Sequence, residues 1–180
     1  MSEMKPAMNY REASAPGLTC VPYARSHSTI ALRGDAYTWW DSAENIYQRG
    51  QTPRPGAILV LSRSSRLRAG HVAVVTQVLG ARQIVVEHAN WIRGRVITGM
   101  PVVDVSPNND WTALRFWYQP ARTYGDVYAA SGFIYGNMTS PDPLPATDPV
   151  APITLSRDRA GDTNDNGTVI VSGSGVSIQP

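Results

Sequence analysis

Three residues of this chain have the types and the order that nucleophilic catalysis needs, and Cys20 is the first of them. It is the only cysteine among 180 residues, so it cannot form a disulfide within the chain. Thr19 favours a helix start and Pro22 suits a first helical turn, which places Cys20 at a helix N-terminus. Peptide dipoles and free N–H groups there favour the thiolate, the reactive form of cysteine. Taken alone, Cys20 is either a nucleophile or a buried, inert thiol, and the residues further along the chain decide between the two.

A cysteine nucleophile needs a base within reach and usually a third group that orients this base. Of the three histidines, His27 lies too far along the same helix to reach back to the thiol. His71 begins a predicted strand. His88 and Asn90 are two residues apart on the next strand, so their side chains share a face. If the two strands pair His71 near Asn90, the amide can hold one imidazole nitrogen while the other nitrogen faces the thiol.

Sequence patterns predict the elements that must position these residues. Helices are predicted over 20–28 and 36–49, the second capped by Asp35 and stopped by Gly50. After Gly50 the apolar period changes from helical to strand-like. Strands are predicted at 57–61, 70–78, 83–91, 102–105, 112–118 and 132–135. Helices followed by an antiparallel meander of strands indicate an α+β fold.

The chain is predicted to hold one folded domain with an extension at each end. A hydrophobic fraction of 42% and this length allow one sizeable core. We predict a lead-in over 1–17, a catalytic domain over 18–137 and a disordered tail over 138–180, because the tail is rich in proline and lacks aromatic residues. Residues 162–167 resemble the start of a calcium-binding loop. Gly173 stands where the closing acidic ligand belongs, so no metal site is predicted.

Charge and hydropathy argue against several kinds of partner. The net charge of +2 is small and the basic residues are spread along the chain, which does not indicate nucleic acid. No run approaches the roughly 18 apolar residues of a membrane span, and the N-terminus lacks the apolar core of a signal peptide. We expect a monomer that acts without a cofactor. Its expected location is the cytoplasm for the sequence as written, or the periplasm, the cell wall or the exterior of the cell if a leader has been removed.

From about Leu18 to Tyr118 the chain resembles a CHAP domain. This is the cysteine- and histidine-dependent amidohydrolase/peptidase family of the papain-like NlpC/P60 superfamily. The motifs that carry the resemblance are Cys20 to Arg25 (CVPYAR), Arg33 to Ala36 (RGDA) leading to Trp39-Trp40, Pro53 to Val60, Gly70 to Val75 (GHVAVV) and Asn90-Trp91. Together they are far more specific than any one of them.

The resemblance implies a papain-like α+β fold in which N-terminal helices, the first bearing Cys20, pack on an antiparallel β-sheet. It implies Cys20 as the nucleophile, His71 as the general base and Asn90 as the residue that orients the base. In the family a glutamate often stands two residues before this asparagine, and here that place holds His88. We therefore expect His88 to line the cleft, although a role for it in holding His71 stays open. The predicted substrate contacts are His88, Trp91 and Trp39.

These roles imply acyl transfer through a thioester. The Cys20 thiolate attacks an amide carbonyl, His71 protonates the leaving amine, and water releases the acyl group. The family's usual substrates make the stem peptide of peptidoglycan, or a related amide, the expected target. The bond is either the one that joins glycan to peptide or one within the peptide. The alternatives are a non-catalytic binding or scaffold module, and a cysteine amidase or peptidase with a substrate other than the wall.

Overall fold

The structure is a computed structural model and describes residues 9–136. The strands are β1 (Arg11–Ser14), β2 (Gln48–Gly50), β3 (Ile58–Leu61), β4 (His71–Gly80), β5 (Gln83–Ala89), β6 (Arg95–Asp104), β7 (Ala113–Tyr118) and β8 (Thr123–Tyr135). The α-helices are α1 (Cys20–Ser26) and α2 (Trp39–Ser42), preceded by a 3₁₀ turn at Ala36–Thr38. No helix in the described part is long and apolar enough to cross a membrane. The predicted tail over 138–180, with its calcium-like string, and the first eight residues of the lead-in lie outside the described residues.

Strands β3 to β8 form a closed antiparallel barrel of six strands. Each strand pairs with the next one along the chain. The barrel closes where β8 returns to β3, with Ile134 opposite Ile58 and Phe133 opposite Leu59. Strand residues make up 45% of the described chain and helical residues 11%. The prediction of an α+β, papain-like fold with N-terminal helices on a sheet is therefore wrong, because the protein is mostly β.

The segment predicted as a helix over 36–49 accounts for much of this difference. Only the 3₁₀ turn and α2 are helical there, and the helix ends at Ser42. Asn45 then adopts a left-handed backbone conformation with φ 63°, which breaks the helical path. Beyond it, β2 pairs with the far end of β8. Pairing with a strand more than 80 residues away has overridden the local periodicity, as tertiary contacts often do.

Alternation along β4 divides the core into two layers. Ala73 and Val75 point into the barrel and pack in its interior. Val72 and Val74 point outwards and pack with Ala24 of α1. The helix that carries the cysteine is thus held against the outer face of the strand that carries His71.

The chain joins the body of the fold already within the predicted lead-in over 1–17. Strand β1 pairs with the start of β6, with Arg11 opposite Thr98. Gly99 has a φ of 68°, and a Cβ there would lie 2.3 Å from the carbonyl oxygen of Asn9. The close approach of these two backbone segments therefore requires a glycine at this position. Residues 11–14, placed in the lead-in by the sequence, form part of the sheet.

Candidate active site

Cys20 is the first residue of α1, where the sequence had placed it. Its thiol lies beside three backbone N–H groups, those of Val72, Val21 and Cys20 itself. Since Val72 directly follows His71, the start of α1 meets the start of β4. Burial raises the pKa of the thiol, and the N–H groups offset this only in part. The structure thus favours a neutral thiol over the thiolate expected from the helix start.

His71 and His88 form a buried pair. Nε2 of His71 lies 2.9 Å from Nδ1 of His88, and the two residues are 4% and 0% exposed. Nε2 of His88 in turn lies 3.1 Å from the sulfur of Met100. A neutral imidazole donates through one ring nitrogen and accepts through the other. When His71 donates through Nε2 to His88, its Nδ1 keeps the free lone pair of a base.

Burial keeps both histidines neutral. It lowers the pKa of His71 to about 3. It also lowers the pKa of His88 well below its ordinary value, with a further contribution from the charge that His71 would carry. The resting site therefore holds a neutral thiol at the start of α1 and a neutral imidazole at the start of β4.

Asn90 takes no part in this pair of imidazoles. Its backbone is left-handed, with φ 61°, and its Oδ1 accepts a hydrogen bond of 3.1 Å from the backbone N–H of Gly94. Its own N–H donates to the carbonyl of Arg95 at 2.8 Å. Asn90 therefore shapes the turn between β5 and β6. The structure places His88 where the sequence had placed Asn90, on Nε2 of His71.

The two tryptophans predicted to contact substrate have different surroundings. The Trp91 ring stacks on His88, with centroids 5.5 Å apart, and meets His71 edge to face at 5.0 Å. It therefore shields the histidine pair from water. Trp39 is completely buried between α2 and the barrel, so it cannot touch a substrate in this structure. His88, predicted to line the cleft, is equally buried.

The sequence did not indicate a groove that borders Trp91. Met100 and Phe116 lie on its floor and also contact His88. Taken singly, they are ordinary apolar residues of strands, and nothing in their spacing indicates a site. A signal was present in the density of aromatic residues over 116–128 (FWYQPARTYGDVY), which line one side of the groove.

The buried histidine pair predicts a loss of stability in acid. In the unfolded chain a histidine titrates near 6.5, whereas His71 in the fold titrates near 3. Between these values the unfolded state binds more protons, so the stabilisation is complete above about pH 6.5 and falls as the pH drops toward 3. In this range the free energy of unfolding should fall by about 1.4 kcal/mol per pH unit for each histidine.

Thermal melts between pH 7 and pH 4.5 check this expectation. The wild type should lose melting temperature more steeply than a His71→Asn, His88→Asn double variant, in which neither position titrates. The carboxyl groups are the same in both proteins and serve as the internal control. If the melting temperature falls equally steeply with pH in both proteins, the histidine pair is not buried in its neutral form.

Comparison with known protein families gives a match for the part of the chain that carries the cysteine and the histidine pair. Residues 9–90 match the family model described as the CHAP domain. This range includes Cys20, His71, His88 and Asn90. No curated protein matches the chain. The resemblance drawn from the sequence motifs is therefore confirmed.

Proposed function

Because residues 9–90 match the model of the CHAP domain, a family of cysteine- and histidine-dependent amidohydrolases and peptidases, we propose that this chain hydrolyses amide bonds of peptidoglycan. One observation carries the proposal. The Cys20 thiol lies against the peptide that links His71 to Val72, and His71 is held by His88. The site of action would be the periplasm or the cell wall, where this polymer lies.

The proposed reaction starts from the neutral thiol and the neutral imidazole. As the sulfur of Cys20 bonds to the carbonyl carbon, Nδ1 of His71 takes the thiol proton. The carbonyl electron pair moves to oxygen, and the N–H groups of Cys20 and Val21, which lie beside the sulfur, would donate to that oxyanion. His71 then gives its proton to the leaving amine, the C–N bond breaks, and a thioester remains.

The second half returns the enzyme to its starting state. Nδ1 of His71 takes a proton from water as the water oxygen attacks the thioester, and the thiolate leaves and recovers the proton. Throughout, the Nε2–H of His71 donates to Nδ1 of His88. This contact fixes the ring and its tautomer without a negative charge. His88 is thus a positioning residue in the proposal, whereas Cys20 and His71 are catalytic.

Digestion of purified sacculi with mass spectrometry of the fragments tests the proposal. The wild type should release fragments with new amino termini, each gaining one water for each bond cut. A Cys20→Ala variant removes only the sulfur and should release none. Equal release by both proteins, or none by either, would contradict cysteine catalysis on the wall. Cleavage of small amides without any release from sacculi would place the substrate elsewhere.

A further inference from the structure

A groove of about 660 Å³ lies next to the histidine pair. Trp91, Met100 and Phe116 form its floor, and all three also contact His88. The volume falls in the range of small-ligand sites, roughly 300–1,000 Å³. Because these three residues also surround His88, a ligand in the groove would lie next to the histidine pair.

Aromatic rings of β7 and β8 form one side of the groove and are already fixed in place. Trp117 and Tyr124 meet edge to face with centroids 5.3 Å apart. Nε1 of Trp117 donates to Oε1 of Gln119 at 2.7 Å. Tyr118 lies beside them and is 53% exposed. Rings that are ordered before binding cost little entropy when a ligand arrives.

Charged side chains lie among these rings. Arg66, from the loop after β3, forms an ion pair with Asp126 of β8. Arg115 donates to the carbonyl of Gly125 at 2.8 Å. A guanidinium group has five N–H donors, so both arginines keep donors for a ligand. The groove therefore offers flat apolar surfaces with hydrogen-bonding groups between them.

This combination suits a sugar chain better than a lipid or an aliphatic side chain. A pyranose ring presents C–H faces that pack on aromatic rings, and its hydroxyl groups can pair with guanidinium, carboxylate and amide groups. An aliphatic ligand would leave those polar groups without partners, which is costly. A proline-rich peptide is the main competitor, because such peptides also dock in grooves lined by aromatic residues.

We propose that this groove binds the glycan strand of the substrate while Cys20 acts on the peptide attached to it. The identity of the polymer rests on the proposed function, whereas the binding of sugar rests on the groove alone. Adjacency to the histidine pair favours the sugar over a free proline-rich peptide, since a strand that bears stem peptides carries its scissile amides with it.

Titration with chitooligosaccharide, a soluble chain of N-acetylglucosamine, tests the groove. The Cys20→Ala variant of the full chain is used, so that no reaction occurs. Tryptophan fluorescence should change and saturate, because Trp91 and Trp117 lie at the groove. Tyr118→Ala and Trp117→Ala should each weaken binding about tenfold or more, as expected when a stacking contact is lost. The matched control is Val127→Ala, since this side chain is 49% exposed on the same hairpin but does not line the groove.

Three results would overturn the proposal. They are no saturable binding of the oligosaccharide, unchanged affinity in Tyr118→Ala, and tighter binding of a proline-rich peptide than of the sugar. Because Tyr118 is exposed, its replacement should leave the melting temperature unchanged, so the test remains valid even if Trp117→Ala fails to fold. An enzyme that digests sacculi but ignores the oligosaccharide would refute the groove and leave the proposed function intact.

Discussion

A His71→Ala variant is expected to lose at least about 10⁴-fold in kcat/KM for release of peptide from sacculi, the scale seen when the base of a catalytic unit is removed. Without Nδ1 of His71, the neutral thiol of Cys20 has no group to take its proton during attack. Quantifying the fragments released per enzyme per minute measures the loss. Residual activity within tenfold of the wild type would assign the base to another residue.

Alkylation of Cys20 by iodoacetamide at pH 6 shows whether His71 acts on a neutral thiol during attack or holds a preformed thiolate in the resting enzyme. Burial raises the pKa of the thiol, so alkylation should be slow in the wild type and equally slow in His71→Ala. The sequence had favoured a thiolate at the helix start, and a thiolate would be alkylated rapidly. Rapid alkylation in the wild type that disappears in the variant would show a preformed thiolate and imidazolium pair, and would contradict the neutral resting site.

Replacing His88 with leucine should lower kcat by about 10- to 1,000-fold, in line with the usual contribution of a positioned base. Leucine fills much of the space but cannot accept the hydrogen bond from Nε2 of His71. Asparagine can accept this hydrogen bond, because its Oδ1 lies near the position of the histidine Nδ1. We therefore expect His88→Asn to recover most of the rate. The matched comparison is Asn90→Ala, which should change kcat little because Asn90 bonds to Gly94.

Two readouts separate positioning from stability in this series. The loss in His88→Leu should fall on kcat while KM stays within a few-fold, and nitrogen chemical shifts should show the tautomer of His71 becoming mixed. A structural defect alone would move the melting temperature and leave the tautomer unchanged. If Asn90→Ala abolishes turnover and His88→Leu does not, the assignment from this geometry is reversed.

The positions of the strands could be predicted from the sequence more fully than the closure of these strands into a barrel. Alternation placed β3, β4, β5 and β7 within a few residues of their observed ranges. It found only the last residues of β6 and β8, because the rest of each strand carries polar or glycine positions. The closure depends on the register of Val102 with Phe116 and of Ile58 with Ile134. Such long-range pairings leave no local periodicity in the sequence.

The sequence indicated which helix and which strand carry Cys20 and His71, but it did not indicate every side-chain contact of the site. Cys20 begins its helix and His71 its strand, as their neighbours in the sequence had indicated. The expected bond from Asn90 relied on a regular strand through residue 91. In the structure β5 ends at Ala89 and Asn90 turns away. The packing of Met100 against His88 is equally invisible in the sequence, since it depends on the register between the neighbouring strands β5 and β6.

The closed barrel also determines when this protein could become active during synthesis. Cys20, His71 and His88 are all synthesised before β7 and β8. At that stage Met100 and Phe116, which bury His88, are missing or unpaired. Pairings of this range form late and slowly, so a nascent or unfolded chain carries the chemical groups without the site. The reaction would therefore wait for the last strand to reach β3, which separates the production of the chain from the start of its activity.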